Sequence, residues 1–211
     1  MKTAFITGAT GFTGGHLARR LIKDGWRVRA LTRKSSSYRE LKSLGCEIVI
    51  GDITVKASYE EALKDVDTVY HIAAYYRGEG TKAEFEAVHV AGTQDLLDSA
   101  AQHNVARFIH CSTVGIHGEI DHPPADETAP VKPGDLYQET KLAGERIALR
   151  YFKEGKINGA VFRPVGIYGP GDTRFLKLFK MVQSPVTLMF GKGDTLYHLT
   201  YIDDLISGIM L

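Results

Sequence analysis

Short apolar runs alternate along the chain with longer stretches in which apolar residues recur at helical spacing. The runs at residues 4–7, 28–32, 47–50, 68–71, 107–111 and 159–162 predict strands with helices between them. Such alternation builds βαβ units around a buried parallel sheet. The first helix is expected from Phe12 to just before Gly25, because Leu17 and Leu21 repeat at helical spacing and Gly25 suits a C-terminal cap. Residues 26–33 then form the second strand. A long helix is predicted over about residues 82–102, with Val88, Gly92, Leu96 and Ser99 on one narrow stripe suited to close packing. Pro123, Pro124, Pro130, Pro133 and Gly134 mark residues 117–134 as a surface loop, and a further helix follows over residues 135–153. Residues 203–211 form a helix that stops on Ile209, Met210 and Leu211 without a capping turn, so more chain is expected downstream.

The 211 residues carry 26 basic and 25 acidic side chains, and 44% are hydrophobic. This balance excludes a disordered or collagen-like chain and provides no basic surplus for nucleic acid, so the expected partner is a small molecule. No run approaches the ~18 apolar residues of a spanning helix, and no membrane association is expected. The start of the chain lacks the pattern of a signal peptide, which makes cytoplasm the expected compartment. Cys46 and Cys111 belong to no CxxC pair and are expected as buried thiols. His117 and His122 flank the proline-rich loop without a third ligand nearby, and no metal is expected. His71 and His110 sit in apolar strands and are expected as satisfied core histidines.

Candidate chemistry begins where the first strand meets the first helix, at Thr7, Gly8, Ala9, Thr10, Gly11, Phe12, Thr13 and Gly14. Glycines there permit a tight turn and let backbone approach a pyrophosphate at a helix N-terminus. With Thr7 in front, the spacing resembles the TGxxGxxG loop of the extended short-chain dehydrogenase/reductase family. Further segments resemble that family's signatures in order: Gly51-Asp52-Ile53, His71-Ile72-Ala73-Ala74, Cys111-Ser112-Thr113, Tyr137-x-x-x-Lys141, Arg163-Pro164, Tyr168-Gly169-Pro170-Gly171 and Tyr201-Ile202-Asp203-Asp204.

The resemblance implies an α/β fold, a Rossmann-like doubly wound parallel sheet with a partial, smaller C-terminal substrate lobe. Residues 1–165 would form the dinucleotide-binding domain, with later returns to it, and 166–211 the start of the substrate lobe. It also implies an NAD(P)-dependent oxidoreductase or epimerase acting on a secondary alcohol or ketone. A sugar or sugar-nucleotide is one candidate substrate; a 3β-hydroxysteroid- or dihydroflavonol-type enzyme is the alternative, and a non-catalytic NAD(P) sensor the rival from another class. Carried residue by residue, cofactor binding falls to Gly8, Thr10, Gly11, Phe12, Thr13, Gly14, Arg33, Asp52, Ile53, Ala73, Lys141 and Pro164. Catalysis falls to Tyr137 and Lys141, with Thr113 favoured over Ser112 as the orienting hydroxyl. A homodimer through the helices starting near Lys82 and Asp135 completes the expectation.

Tyr38 and Lys42 repeat the Tyr/Lys spacing, but they follow the second strand, whereas Tyr137 and Lys141 follow the fifth strand and its hydroxyls. The second pair is therefore preferred, and the first is expected to be a solvated helical face. A phenol ionises near ~10, and a cation at ~4 Å offers about 4 kcal/mol at an effective dielectric of ~20, enough to offset about 3 pH units. For the cofactor, the second strand ends in Thr32, Arg33 and Lys34, with no acid to accept from a ribose 2′-hydroxyl. A guanidinium suits a 2′-phosphate, which favours NADP over NAD. The chain departs from the family in three places: His89 stands where asparagine is usual, His117 where tyrosine is common, and Val114-Gly115 where dehydratases place an acid pair.

Overall fold

The computed structural model describes residues 1–75, 80–121, 123–186 and 196–211. Strands β1 (Thr3–Thr7), β2 (Arg27–Thr32), β3 (Glu47–Ile50), β4 (Thr68–His71), β5 (Arg107–Cys111) and β6 (Gly159–Phe162) form one parallel sheet in the order β3-β2-β1-β4-β5-β6. Central β1 is buried at every position, which explains why it carries a continuous apolar run rather than an alternating one. Its last residue, Thr7, lies in register with Leu31 of β2 and His71 of β4, so three strand ends meet at one edge. The strand order reverses beside β1, where doubly wound sheets open a crevice.

Helix α1 (Phe12–Lys23) ends at Asp24, after which Gly25 takes φ +81°. The short α2 (Arg39–Ser43) follows β2. Leu17, Leu21, Val28, Leu41 and Tyr70 fill one side of the sheet. Across it, α4 (Gly92–Gln102) and α5 (Leu136–Lys153) cover Phe5, Val69, Leu97, Phe108 and Tyr151. Two 3-10 turns at Lys56–Ser58 and Glu60–Leu63, unmarked by any long periodicity, bury Tyr59 and Leu63 there.

The helix expected over residues 82–102 is interrupted. It comprises α3 (Lys82–Glu86), a π-helical turn at Ala87–Ala91 and then α4. One extra residue in such a turn rotates the side chains that follow, and these turns recur at functional sites. Beyond β6, a parallel pair of β7 (Gly166–Tyr168) and β8 (Leu199–Tyr201) forms a separate small sheet. Between them α6 (Leu176–Val182) buries none of its residues. The last helix, α7 (Ile202–Ile209), turns Ile202, Ile206 and Ile209 into the core beside α1. Among the described residues, no helix is long and apolar enough to cross a membrane.

Two expectations need correction. His110 is buried, yet neither ring nitrogen has a hydrogen-bond partner among the described residues, because the ring lies against His71, whose two nitrogens are already bonded to Thr7 and Thr93. The segment over residues 117–134 is mostly exposed, but His117 itself is buried at the end of a 3-10 turn, Val114–His117. His122 lies outside the described residues.

Candidate functional site

A groove of about 870 Å³ opens at the meeting point of β1, β2 and β4. Gly8, Thr10, Gly11, Phe12, Thr13 and Gly14 form one wall, with Arg33 and Ser36 at the end of β2 and Asp52, Ile53 and Ala73 opposite. The glycines are sterically required at two positions. A Cβ on Gly14 would stand 2.3 Å from the Gly8 carbonyl oxygen, and Gly8, at φ +74°, would place one 2.8 Å from the Ala73 nitrogen. Gly11 precedes α1 without a side-chain cap, so the amides of the first turn have no side-chain acceptor. Such amides, with the helix dipole behind them, suit a phosphate. The cradle thus fits a dinucleotide. Asp52 Oδ1 accepts from the backbone and hydroxyl of Thr54 at 2.9 and 2.8 Å, which orients its carboxylate at the groove.

The second cluster stands at the start of α5. Asp135 caps that helix by accepting from the Gln138 amide at 2.8 Å, and Tyr137 and Lys141 follow one turn apart. Lys141 is only 3% exposed and donates to the Cys111 carbonyl, which ties α5 to the end of β5. Burial lowers its pKa, while Cys111 and Glu145 pull the other way. Burial also pushes the Cys111 thiol up to about 11, against the effect of Lys141, so that sulfur is an inert neighbour. The Ser112 hydroxyl is buried and has no partner among the described residues. Thr113 is partly exposed and accepts from Gly115 N–H at 3.1 Å, leaving its own proton to give. Pro164 accepts from Val114 N–H at 3.1 Å and braces this turn; neither it nor Lys141 lines the groove. Lys42 lies on α2 and Tyr38 just before it, partly buried against the core rather than on a solvated face; neither lines the groove.

The two clusters are joined by buried hydrogen bonds whose proton positions can be worked out. Thr7 Oγ1 accepts from Ile72 and Ala73 N–H, both at 3.1 Å, and therefore donates to His71 Nδ1 at 2.8 Å. The His71 proton is then on Nε2, which donates to Thr93 Oγ1 at 2.9 Å, and Thr93 donates to the His89 carbonyl at 2.7 Å. Tyr75 N–H donates to His89 Nε2 at 2.9 Å. The His89 proton must sit on Nδ1, donating at 2.9 Å to Thr140 Oγ1, whose own proton goes to the Leu136 carbonyl. Both imidazoles are neutral. Burial first, and then the Lys141 charge, lowers each to about 3. His89 also presents its ring to Tyr137, edge to face at 5.6 Å. The π-helical turn carries His89, so the irregular turn places one imidazole between the groove segment at Tyr75 and α5. Helical periodicity gave no signal for it.

The Arg163 side chain donates to both oxygens of Glu145, at 3.1 and 2.6 Å, and to His117 Nε2 at 3.1 Å. His117 Nδ1–H in turn donates to the Pro130 carbonyl at 3.2 Å, so this pair anchors the proline-rich loop to α5. The bond to Glu145 raises the Arg163 pKa against burial. Glu145 is 1% exposed and Arg163 21%. Removing one partner of such a pair leaves a buried charge alone. We expect Glu145→Ala to lower unfolding free energy by about 3 kcal/mol, the low end for a buried pair because water still reaches the guanidinium. A shift below about 1 kcal/mol in denaturant unfolding would show that the pair contributes little.

A model of the NAD dependent epimerase/dehydratase family matches residues 4–211. Among curated proteins, a "3 beta-hydroxysteroid dehydrogenase/Delta 5-->4-isomerase" of Mycobacterium tuberculosis is 33% identical over 98% of the chain and 58% of its own length. "Sterol demethylase protein B" of Methylococcus capsulatus is 33% identical over 82% of the chain and 53% of its own length. The chain therefore spans a little over half the length of these relatives. Among solved structures, a UDP-glucuronic acid 4-epimerase from Bacillus cereus in complex with NAD shares 28% identity at a TM-score of 0.83, covering 99% of this chain and 72% of that one.

Proposed function

The chain belongs to the NAD-dependent epimerase/dehydratase family, and on that premise we propose that it carries the cofactor groove and proton-transfer pair of an NAD(P)-dependent oxidoreductase or epimerase. The reacting centre is a secondary alcohol or ketone of a small-molecule substrate. The observation that supports this reading is the placement of Tyr137 and buried Lys141 on one helix, with Lys141 bonded to the Cys111 carbonyl two residues before Thr113 and the helix joined to the groove by His89. When bound, the nicotinamide accepts or supplies the hydride. Thr113 holds the substrate oxygen with the proton that it does not share with Gly115. Tyr137 Oη takes the hydroxyl proton in the oxidative direction and returns it in reduction. Lys141 spends one N–H on Cys111 and has two more for the ribose hydroxyls and Tyr137. Val114 and Gly115 begin the turn after Thr113 and supply no acid pair there, so oxidation, reduction or epimerisation fits better than dehydration through an acid pair at that point.

The relatives named for steroid and sterol chemistry favour a 3β-hydroxysteroid-type substrate, and the fold neighbour favours a nucleotide sugar. Turnover assays offering both classes with each cofactor separate them. A protein that turns over neither, with either cofactor, would leave only a dinucleotide-binding module. The reading also includes a homodimer through the helices that start at Lys82 (α3 to α4) and just after Asp135 (α5), on the second of which Leu149 stands 44% exposed. A monomer by sedimentation at micromolar concentration would remove it.

NADP is the preferred cofactor in this reading, because Arg33 and Ser36 line the groove where β2 ends and no carboxylate replaces them. Arg33→Ala is expected to weaken NADP about tenfold and NAD less than twofold, measured by titration. Equal losses for the two cofactors would place the 2′-phosphate elsewhere.

A further inference from the structure

One cation of the groove is unaccounted for by the loop, by Arg33 or by the Tyr/Lys pair. After β7 the chain turns at Gly171, where φ is +89°, and returns over α1. His16 of α1 bonds the Pro170 carbonyl at 3.0 Å and fastens that return. Gly171, Asp172, Thr173 and Arg174 then line the same groove as the glycine loop. The Arg174 guanidinium lies over the Phe12 ring, 5.2 Å from its centroid, at the first residue of α1.

The arginine is held in place before any ligand arrives. Its Nε donates to Asp172 Oδ1 at 2.7 Å and its Nη2 to the Ile167 carbonyl at 2.7 Å. The Asp172 side chain is 4% exposed; burial pushes its pKa up, but bonds from Arg174 and the backbone bring it below the ordinary range. A guanidinium has five N–H groups, so three remain without an acceptor among the described residues. A side chain this ordered, 30% exposed and stacked on a ring, has little rotamer entropy left to lose on binding.

Resting on the dinucleotide reading above, we infer that Arg174 is a cofactor ligand that closes the groove over the pyrophosphate. The cofactor phosphates then sit between the first-turn amides of α1 on one side and a guanidinium on the other. Arg33 and Arg174 divide the anionic groups between them. Arg33 stands at the end of β2 for a 2′-phosphate, and Arg174 stands over α1 for the diphosphate. Because Arg174 follows β7, the contact also links the segment beyond the main sheet to cofactor occupancy.

Binding of NADP, ADP and adenosine to the wild type, Arg174→Ala and Arg174→Lys tests this by calorimetry or competition. A diphosphate contact predicts that Arg174→Ala loses on the order of tenfold for both NADP and ADP and leaves adenosine within twofold. Arg174→Lys keeps most of the affinity, and the alanine variant shows a shallower dependence on salt. Unchanged affinity for NADP and ADP in Arg174→Ala overturns the inference while leaving the dinucleotide reading intact. Equal weakening of adenosine also overturns it, since the variant would then have disturbed the groove rather than one contact. Failure of the wild type to bind any dinucleotide overturns both.

Discussion

Tyr137→Phe is expected to lower turnover by about 10²–10⁴ while the dinucleotide dissociation constant stays within about twofold. The substitution deletes one oxygen. The phenyl ring can keep its edge-to-face contact with His89, and the Asp135 cap that starts α5 does not involve the side chain at 137. In the reading above Lys141, not the Tyr137 oxygen, holds the cofactor ribose, so dinucleotide affinity is expected to be retained. Lys141→Met should behave differently. It removes a buried ammonium that also ties α5 to the Cys111 carbonyl, so affinity, turnover and stability fall together. The contrast between the two variants is the useful readout. A phenylalanine variant that retains more than one-tenth of wild-type turnover would assign the proton step to another group. A wild type without turnover on any alcohol or ketone would leave cofactor sensing in its place.

The sheet was legible in the sequence because strands buried on both faces carry uninterrupted apolar runs. The run 68–71 corresponds to β4 at both ends, and 4–7 misses β1 by one residue. The nucleotide loop was legible for a related reason. Two of the glycines in that strand-to-helix turn, Gly8 and Gly14, are forced by close contacts, the shortest between position 14 and the Gly8 carbonyl. Choosing between the two Tyr/Lys pairs required chain order, since both share the same spacing. Two features had no local signal, and a third had only a faint one. The π-helical turn adds one residue to a helix whose apolar stripe continues through it. The Glu145–Arg163 pair joins residues 18 apart that meet only when β6 lies beside α5. Arg174 reaches the groove because Gly171 reverses the chain, and its partners Ile167 and Phe12 come from β7 and α1. A glycine-rich turn followed by Asp172-x-Arg174 was the available hint.

Acid should destabilise this fold well before its carboxylates titrate. His71 and His89 have pKa values of about 3 in the folded chain, against roughly 6.5 when unfolded. Between those values the unfolded chain binds two protons that the folded chain refuses. Stability is therefore complete above about pH 6.5 and drains as pH falls toward 3. From pH 7 to pH 5, each histidine costs about 1.9 kcal/mol, so the pair costs about 4 kcal/mol. His110, pushed well below its ordinary value by burial and the Lys141 charge, contributes with the same sign. Denaturant unfolding at the two pH values measures the sum. His89→Asn can still accept from Tyr75 N–H, but it no longer titrates, and its pH-dependent loss should be smaller by about 1.9 kcal/mol. Parallel losses in wild type and variant would mean that His89 accepts a proton in the fold at pH 5. It could then no longer accept from the Tyr75 amide, and the neutral bridge between the groove and α5 would be the wrong description. If the losses differ as expected, His89 places no charge beside Tyr137 near neutral pH, and proton transfer there rests on the phenol and Lys141.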